Sequence, residues 1–163
     1  MAIEIAWSKN GTPDTLGSAL DDMDITDLTA KKFNQFMVHI LDTGGQISHN
    51  INFNNNANSV YAERSSFDGG TDATLVSQTK IAEGTATREY FEILYVCSIS
   101  GEEKLGMLFW IRNLAGAANA PSRYEQVFKF VPSPDADITR IDYSNTDVGS
   151  FDTNSNLSAL GTD

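Results

Sequence analysis

The two histidines are the first candidates in this sequence for a metal site. His39 and His49 lie in neighbouring predicted strands. A three-residue loop at 43–45 brings them opposite each other with Asp42 nearby, whereas a four-residue loop at 42–45 does not. A zinc site needs three or four ligands, and this set supplies too few. The sequence therefore predicts no metal-ligating residue.

A run of aspartates at positions 21, 22, 24 and 27 is the second candidate, because calcium takes six to eight oxygen ligands. The spacing lacks the D-x-[DN]-x-[DN]-G pattern of a calcium loop. The carboxylates around Asp68–Asp72 and Asp135–Asp137 are equally unspecific. We interpret all of them as solvated turn carboxylates, and no cofactor is predicted.

Nucleophilic catalysis has no recognisable signature in this chain. There is no G-x-S-x-G sequence, and Cys97, the single cysteine, lies in the most apolar predicted strand. A free cysteine in that setting is expected to be a buried, inert thiol. Among 22 acidic residues, some pair always resembles a glycosidase dyad. We predict no catalytic or cofactor-binding residue and expect that the chain is not an enzyme.

The charge balance excludes one class of partner. The formal net charge is −11, and the 11 lysines and arginines are scattered singly, whereas nucleic-acid binding needs clustered basic side chains. No stretch approaches the ~20 apolar residues of a membrane span. The first residues lack a signal-peptide pattern, so we expect synthesis in a cytoplasm.

The elements that must position these residues are strands. The stretch EYFEILYVCSISGEEKLGMLFWIR, residues 89–112, predicts two long strands joined by a tight turn at 100–103 and apolar on both faces. In the first strand, one face holds Tyr90, Leu94 and Val96, and the other holds Phe91, Ile93, Tyr95, Cys97 and Ile99. In the second strand, one face holds Leu105, Met107, Phe109 and Ile111, and the other holds Leu108 and Trp110. Such a hairpin belongs in the middle of a sandwich, where one face meets the opposing sheet and the other is partly covered. A second hairpin is predicted for 33–42 and 46–54, with its register left open between the two loop lengths.

The remaining segments read as short strands separated by turn residues, with one such turn expected at 83–85 and a helical turn at 26–32. This pattern predicts one all-β domain over residues 1–163, a single antiparallel β-sandwich of about ten strands with jelly-roll-like connectivity. Flexible arms are expected at 1–10 and 152–163. Further strands are predicted at 2–7, 16–20, 23–25, 59–67, 71–81, 123–131, 138–143 and 157–160.

The C-terminal stretch ITRIDYSNTDVGSFDTNSNLSALGTD, residues 138–163, together with 61–70 and 77–81, resembles the small β-sandwich virion proteins of tailed marine bacteriophages. Ala159 stands where that family usually has an aromatic residue. The resemblance implies a non-enzymatic structural protein of the virion, assembled in the host cytoplasm. It further implies a capsid decoration or cement subunit that forms a homo-oligomer, with a trimer favoured, and contacts the major capsid protein or other virion proteins.

A second function stays open at this point. The same fold with exposed tyrosine and tryptophan, such as Trp7 and Trp110, would suit a carbohydrate-binding module or tail adhesin, with calcium as an option. For contacts between subunits, the candidate regions are the two terminal arms, the loop at 114–122 and the Thr/Ser-rich edge at 71–78.

Overall fold

The computed structural model describes residues 6–86, 89–114, 116–133 and 136–163, with the backbone alone for 82–86. Within these ranges the chain forms thirteen β-strands and no helix, which confirms the all-β prediction. The strands are β1 (Ser8–Lys9), β2 (Asp14–Thr15), β3 (Asp22–Ile25), β4 (Phe33–Ile40), β5 (Ile47–Phe53), β6 (Tyr61–Phe67), β7 (Ala73–Gln78), β8 (Ile81–Ala86), β9 (Tyr90–Cys97), β10 (Lys104–Arg112), β11 (Ser122–Phe130), β12 (Ile141–Asn145) and β13 (Asn156–Thr162).

The strands form two antiparallel sheets. The large sheet has nine strands in the order β1-β13-β4-β9-β10-β11-β6-β7, with β2 also paired to β13. The small sheet has four strands in the order β3-β12-β5-β8. Their inner faces pack against each other, so the architecture is a β-sandwich, while the jelly-roll connectivity stays a prediction.

The core lies between the two sheets and is rich in aromatic side chains. Alternation along each strand sends every second residue inward, and β4 shows it cleanly, because Asn34, Phe36, Val38 and Ile40 are buried while their neighbours are partly exposed. Ring contacts cross between the sheets. The Phe36 and Phe53 centroids lie 6.2 Å apart, and Phe53 and Phe130 lie 5.6 Å apart.

The predicted hairpin at 89–112 is confirmed and lies in the middle of the large sheet as β9 and β10. Gly101 supplies the turn with a φ of +77°, a left-handed conformation that favours glycine. The buried Lys104 fixes the same turn, because its Nζ donates to the carbonyls of Ile99 at 2.7 Å and Glu102 at 2.6 Å.

The prediction that residues 33–54 form a hairpin is wrong. Both strands exist, but β4 belongs to the large sheet, where it pairs with β13 and β9, and β5 belongs to the small sheet, where it pairs with β12 and β8. The open question of register therefore disappears. Gly45 lies in the connection that crosses from the large sheet to the small sheet. The chain passes close to Gly149 there, because a Cβ on Gly45 would lie 2.6 Å from the Cα of Gly149.

Three smaller predictions also differ from the structure. Residues 83–85, expected to form a turn, lie within β8. The segment 26–32 contains no helical turn. The strand expected at 16–20 is replaced by the shorter β2, which ends at Thr15.

The C-terminal residues are not an arm. Residues Asn156–Thr162 form β13, which lies inside the large sheet between β1 and β4. On the N-terminal side, Ser8 and Lys9 pair with the same strand, while most of the strand predicted at 2–7 lies outside the described residues. The edge position predicted for 71–78 is confirmed, because β7 ends the large sheet. None of the described residues belongs to a helix that is long and apolar enough to cross a membrane.

Candidate functional site

The two histidines lie on opposite sides of the large sheet. His39 projects from β4 onto the outer face and is about half exposed, whereas His49 projects from β5 into the core and is fully buried. They therefore do not share a site. Among the described residues, no group of three or more histidine, cysteine, aspartate or glutamate side chains is arranged to hold a metal ion.

His49 belongs to a buried cluster that links the two sheets. Its Nε2 lies 3.2 Å from Oε2 of Glu92 on β9, and Oε1 of the same carboxylate accepts a hydrogen bond from the Tyr143 hydroxyl on β12. His49 and Glu92 are both 0% exposed. The Tyr90 ring packs edge-on against the His49 ring at 4.9 Å. Because no member reaches solvent, the cluster can hold the sheets together but cannot meet a substrate.

The sequence analysis missed Glu92, although a signal for it was present. Glu92 alternates in phase with Tyr90, Leu94 and Val96, so it had to point the same way as three large hydrophobic side chains. A carboxylate on the buried side of a central strand requires hydrogen-bond partners from elsewhere in the fold. The only histidine on an inward position of the small sheet, within the described residues, is His49.

His39 forms a second and more exposed pair with a glutamate. Its Nε2 lies 2.7 Å from Oε1 of Glu89, and Asn113 Nδ2 donates to Oε2 of the same carboxylate at 3.4 Å. The hydrogen bond to His39 holds the pKa of Glu89 below its ordinary value, with the Asn113 bond adding to the effect. In the described part of the chain the His39 ring bonds to a carboxylate rather than to a hydroxyl or thiol, so no nucleophile is activated there.

The aspartates at 21–27 do not converge on one point. Asp27 accepts hydrogen bonds from the Thr12 amide at 2.8 Å and hydroxyl at 2.7 Å, and these hold its pKa below the ordinary value. Asp24 pairs with Arg140 at 2.7 Å. Partial burial, followed by the neighbouring carboxylates of Asp21 and Asp142, raises the pKa of Asp22. Asp135, part of another acidic candidate, lies outside the described residues.

Cys97 was expected to be buried, but its side chain is partly exposed. It lies at the end of β9 with its side chain on the outer face of the large sheet. The alternation had grouped it correctly with Phe91, Ile93 and Tyr95, but that face turns out not to be the core face. Cys97 lines a shallow groove with Trp7, Phe33, Tyr95 and Leu105.

The outer face of the large sheet is the most unusual surface of the molecule. Its centre is built by β9 and β10, where Tyr95 lies beside Met107, and Ile93 beside Phe109, in the strand register. Neighbouring strands extend it without a break, because Met107 also lies beside Val127 of β11, and Ile93 beside Met37 of β4. Seven of its apolar side chains are each between 42% and 58% exposed: Phe91, Tyr95, Leu105, Met107, Phe109, Ile111 and Val127.

We call these seven side chains the apolar face. Taking about 200 Å² for each aromatic side chain and about 100 Å² for each aliphatic one, the apolar face leaves on the order of 500 Å² open to solvent. The largest apolar patch on a monomeric soluble protein is typically about 300–600 Å² and is often a site of interaction, so the apolar face lies in the upper part of that range. The arrangement can therefore bury a partner's surface.

Charged side chains occur at one margin of the apolar face and carry both signs. Arg123 and Glu125 lie 3.6 Å apart on β11, and Lys129 lies 3.2 Å from Glu103. The opposite margin, on β4, carries Gln35 and His39 instead. A polar rim around an apolar centre is the usual anatomy of a protein–protein interface.

Comparison with known proteins adds no family. No protein-family model matches the chain, and no curated protein sequence is significantly similar to it. A function is therefore proposed from the geometry of the chain together with the resemblance of residues 138–163.

Proposed function

We propose that this chain is a non-enzymatic structural protein of a virion, a capsid decoration subunit that oligomerises and stabilises a phage capsid. The apolar face carries the proposal. A face of this size, at the middle of the larger sheet and bordered on one side by charges of both signs, is suited to binding protein. The resemblance of residues 138–163 to phage virion proteins supplies the setting.

The proposed mechanism needs no chemistry beyond burial of surface. At about 25 cal/mol per Å², covering the apolar face contributes on the order of 10 kcal/mol before the entropic cost of association is subtracted. A subunit that binds the assembled particle and not its dissociated parts stabilises the particle by mass action. The contribution grows with the number of copies bound.

The placement of the titratable groups supports a role without catalysis. Glu92 and His49, the pair with the most enclosed environment, are sealed in the core. The exposed pair of His39 and Glu89 lies in a shallow groove with Phe91 and Ile111. Neither arrangement combines a nucleophile, a base and a cleft, which hydrolases that act through a side-chain nucleophile require.

The experiment that tests the proposal is quantitative mass spectrometry of virions purified from the source of the chain. We expect many copies per particle, and particles from which the chain has been removed should disrupt at a lower temperature. Absence of the chain from purified particles would contradict the proposal. So would an unchanged disruption temperature after its removal.

Carbohydrate binding is the second candidate, because Trp7 and Tyr95 are both about 40% exposed beside one groove. Sugars need hydrogen-bonding side chains as well as aromatic rings. Asn34 supplies the side-chain amide of this groove, and it is already bonded to Asn10 at 3.0 Å and to the Lys31 carbonyl at 3.1 Å. Saturable glycan binding that is lost in Trp7→Ala would favour this candidate over the first.

A further inference from the structure

We propose that the partner that covers the apolar face is a second copy of this chain, stacked face to face about a two-fold axis. The inference rests on the proposed function in one respect, since it assigns the apolar face to the oligomerisation of the proposed subunit. Two sandwiches joined in this way form four layers of sheet. The arrangement is a dimer, in place of the trimer that the resemblance favours.

The distribution of charge is the first argument for a second copy. The outer side of the small sheet carries a net negative charge, because Asp22, Asp24 and Asp142 lie together on β3 and β12. A single basic residue, Arg140, pairs with two of them, Asp24 and Asp142. The raised pKa of Asp22 reflects partial burial and then this crowding of carboxylates. The apolar face itself consists of uncharged side chains. Two copies of a chain with a net charge of −11 therefore repel each other least when their apolar faces meet.

The thickness of the stack is the second argument. Packed sheets lie about 10 Å apart, so the outermost sheets of a four-layer stack are separated by roughly 30 Å. That distance is several times the Debye length of about 8 Å at physiological ionic strength. The two acidic surfaces are then screened from each other.

Other ways of stacking two copies are unfavourable. If the apolar face of one copy covered the acidic side of another, the carboxylate of Asp22 would be buried against an apolar surface that offers it no partner. The ion pairs that Arg140 makes with Asp24 and Asp142 would lose their solvent at the same time. Burying unpaired charge costs several kcal/mol. Such head-to-tail stacking would also continue without end, whereas a two-fold contact closes.

The available apolar area approaches what a stable dimer buries. A standard interface buries about 800 Å² on each partner. The apolar face supplies on the order of 500 Å². Side chains next to it add to this area. Phe33 lines a groove with Tyr95, and Leu75 and Val76 of β7 line a second groove, which also includes the charged Arg64 and Lys129.

Charge placed at the centre of the apolar face tests the proposal. Met107 lies between Tyr95 and Val127 in the register, so a central two-fold axis brings it near its own symmetry mate. By light scattering we expect the wild-type chain to have twice its 17.8 kDa mass. Met107→Lys and Met107→Glu should each raise the dimer Kd by at least roughly 100-fold, and mixing the two variants should restore the dimer.

Leu20→Lys is the matched control, because Leu20 is 52% exposed and Met107 is 51% exposed, but Leu20 lies outside the apolar face. We expect this variant to remain dimeric. Thermal unfolding of each variant shows whether it is folded, and Leu105→Lys serves as a second disrupting variant. A wild-type mass of one or three chains, a dimer that survives a charge at Met107 and Leu105, or a mixture that stays monomeric would overturn the inference.

The outcomes separate this inference from the proposed function. A chain that is abundant in purified virions but monomeric in isolation would overturn the second copy as partner and leave the structural role intact. A chain that dimerises through the apolar face but is absent from virions would overturn the structural role and leave the dimer intact.

Discussion

The two sides of the large sheet have similar residues and opposite surroundings. On β9, Leu94 and Val96 point inward and are almost fully buried, whereas Phe91 and Tyr95 point outward and are each 42% exposed. On β10 the same contrast holds between Trp110 and Phe109. The hydrophobicity of the residues along the strand does not distinguish the two sides. They differ because the small sheet covers the inner side and leaves the outer side open.

The two histidine–glutamate pairs show what that coverage changes. His49 and Glu92 lie between the sheets at 0% exposure, and His39 and Glu89 lie on the outer side with more than 40% of each side chain exposed. Because water solvates the outer pair, removing that pair lowers the free energy of unfolding only slightly. Water does not reach the inner pair, so each of its two side chains depends on the other as a partner.

The largest expected effect comes from the inner pair. Glu92→Ala removes the acceptor of both His49 and Tyr143, and we expect it to reduce the free energy of unfolding by about 3–5 kcal/mol. The matched change Glu89→Ala on the outer side should cost less than about 1 kcal/mol. Chemical denaturation measures both, and equal losses would contradict the contrast between the two sides.

A smaller effect is expected from adding a methyl group to the closely packed Gly106 on the inner side. A Cβ on Gly106 would lie 2.1 Å from the Phe128 ring, which covers this glycine across β10 and β11. We therefore expect Gly106→Ala to destabilise the fold by about 1–3 kcal/mol. Gly17→Ala is the control, because nothing lies within 4 Å of a Cβ there. Comparable melting temperatures for the two variants would show that the ring moves aside freely.

The smallest effect concerns the outer pair and depends on pH. The pKa of Glu89 is lowered from its ordinary 4.5 by the hydrogen bond to His39. A lowered pKa means that the pair stabilises the fold above about pH 4.5 and that this contribution is lost as the pH falls through the folded-state pKa. Glu89→Gln should cost less than about 1 kcal/mol at neutral pH and converge with the wild type at low pH. A constant difference across this range would contradict the assignment.

Several parts of this contrast could be predicted from the sequence. The alternation of 89–112 placed Leu108 and Trp110 on one face and Leu105, Met107, Phe109 and Ile111 on the other, and the structure agrees. The all-β class followed from short strands between turn residues. These features are local, because they depend on the period of two along a strand.

The parts that could not be predicted depend on pairing between distant segments. The stretch 33–54 alternates on both sides of a short Gly-containing loop, which fits a hairpin as well as a crossover between sheets. Only the partners of each strand, β9 for β4 and β12 for β5, distinguish the two. The expectation that Cys97 is buried failed for a related reason, since the sequence could not tell which apolar face the small sheet covers.

The single cysteine offers the most direct test of the claim that the apolar face is covered in the assembled protein. Cys97 lies on the same side of the sheet, beside Leu105 in the register. The rate at which an excess of a thiol-alkylating reagent modifies Cys97 therefore reports whether the apolar face is covered. We predict that the rate falls as protein concentration rises, and that Met107→Glu keeps it fast at every concentration. A rate that is independent of concentration and equal in the two proteins would contradict the account.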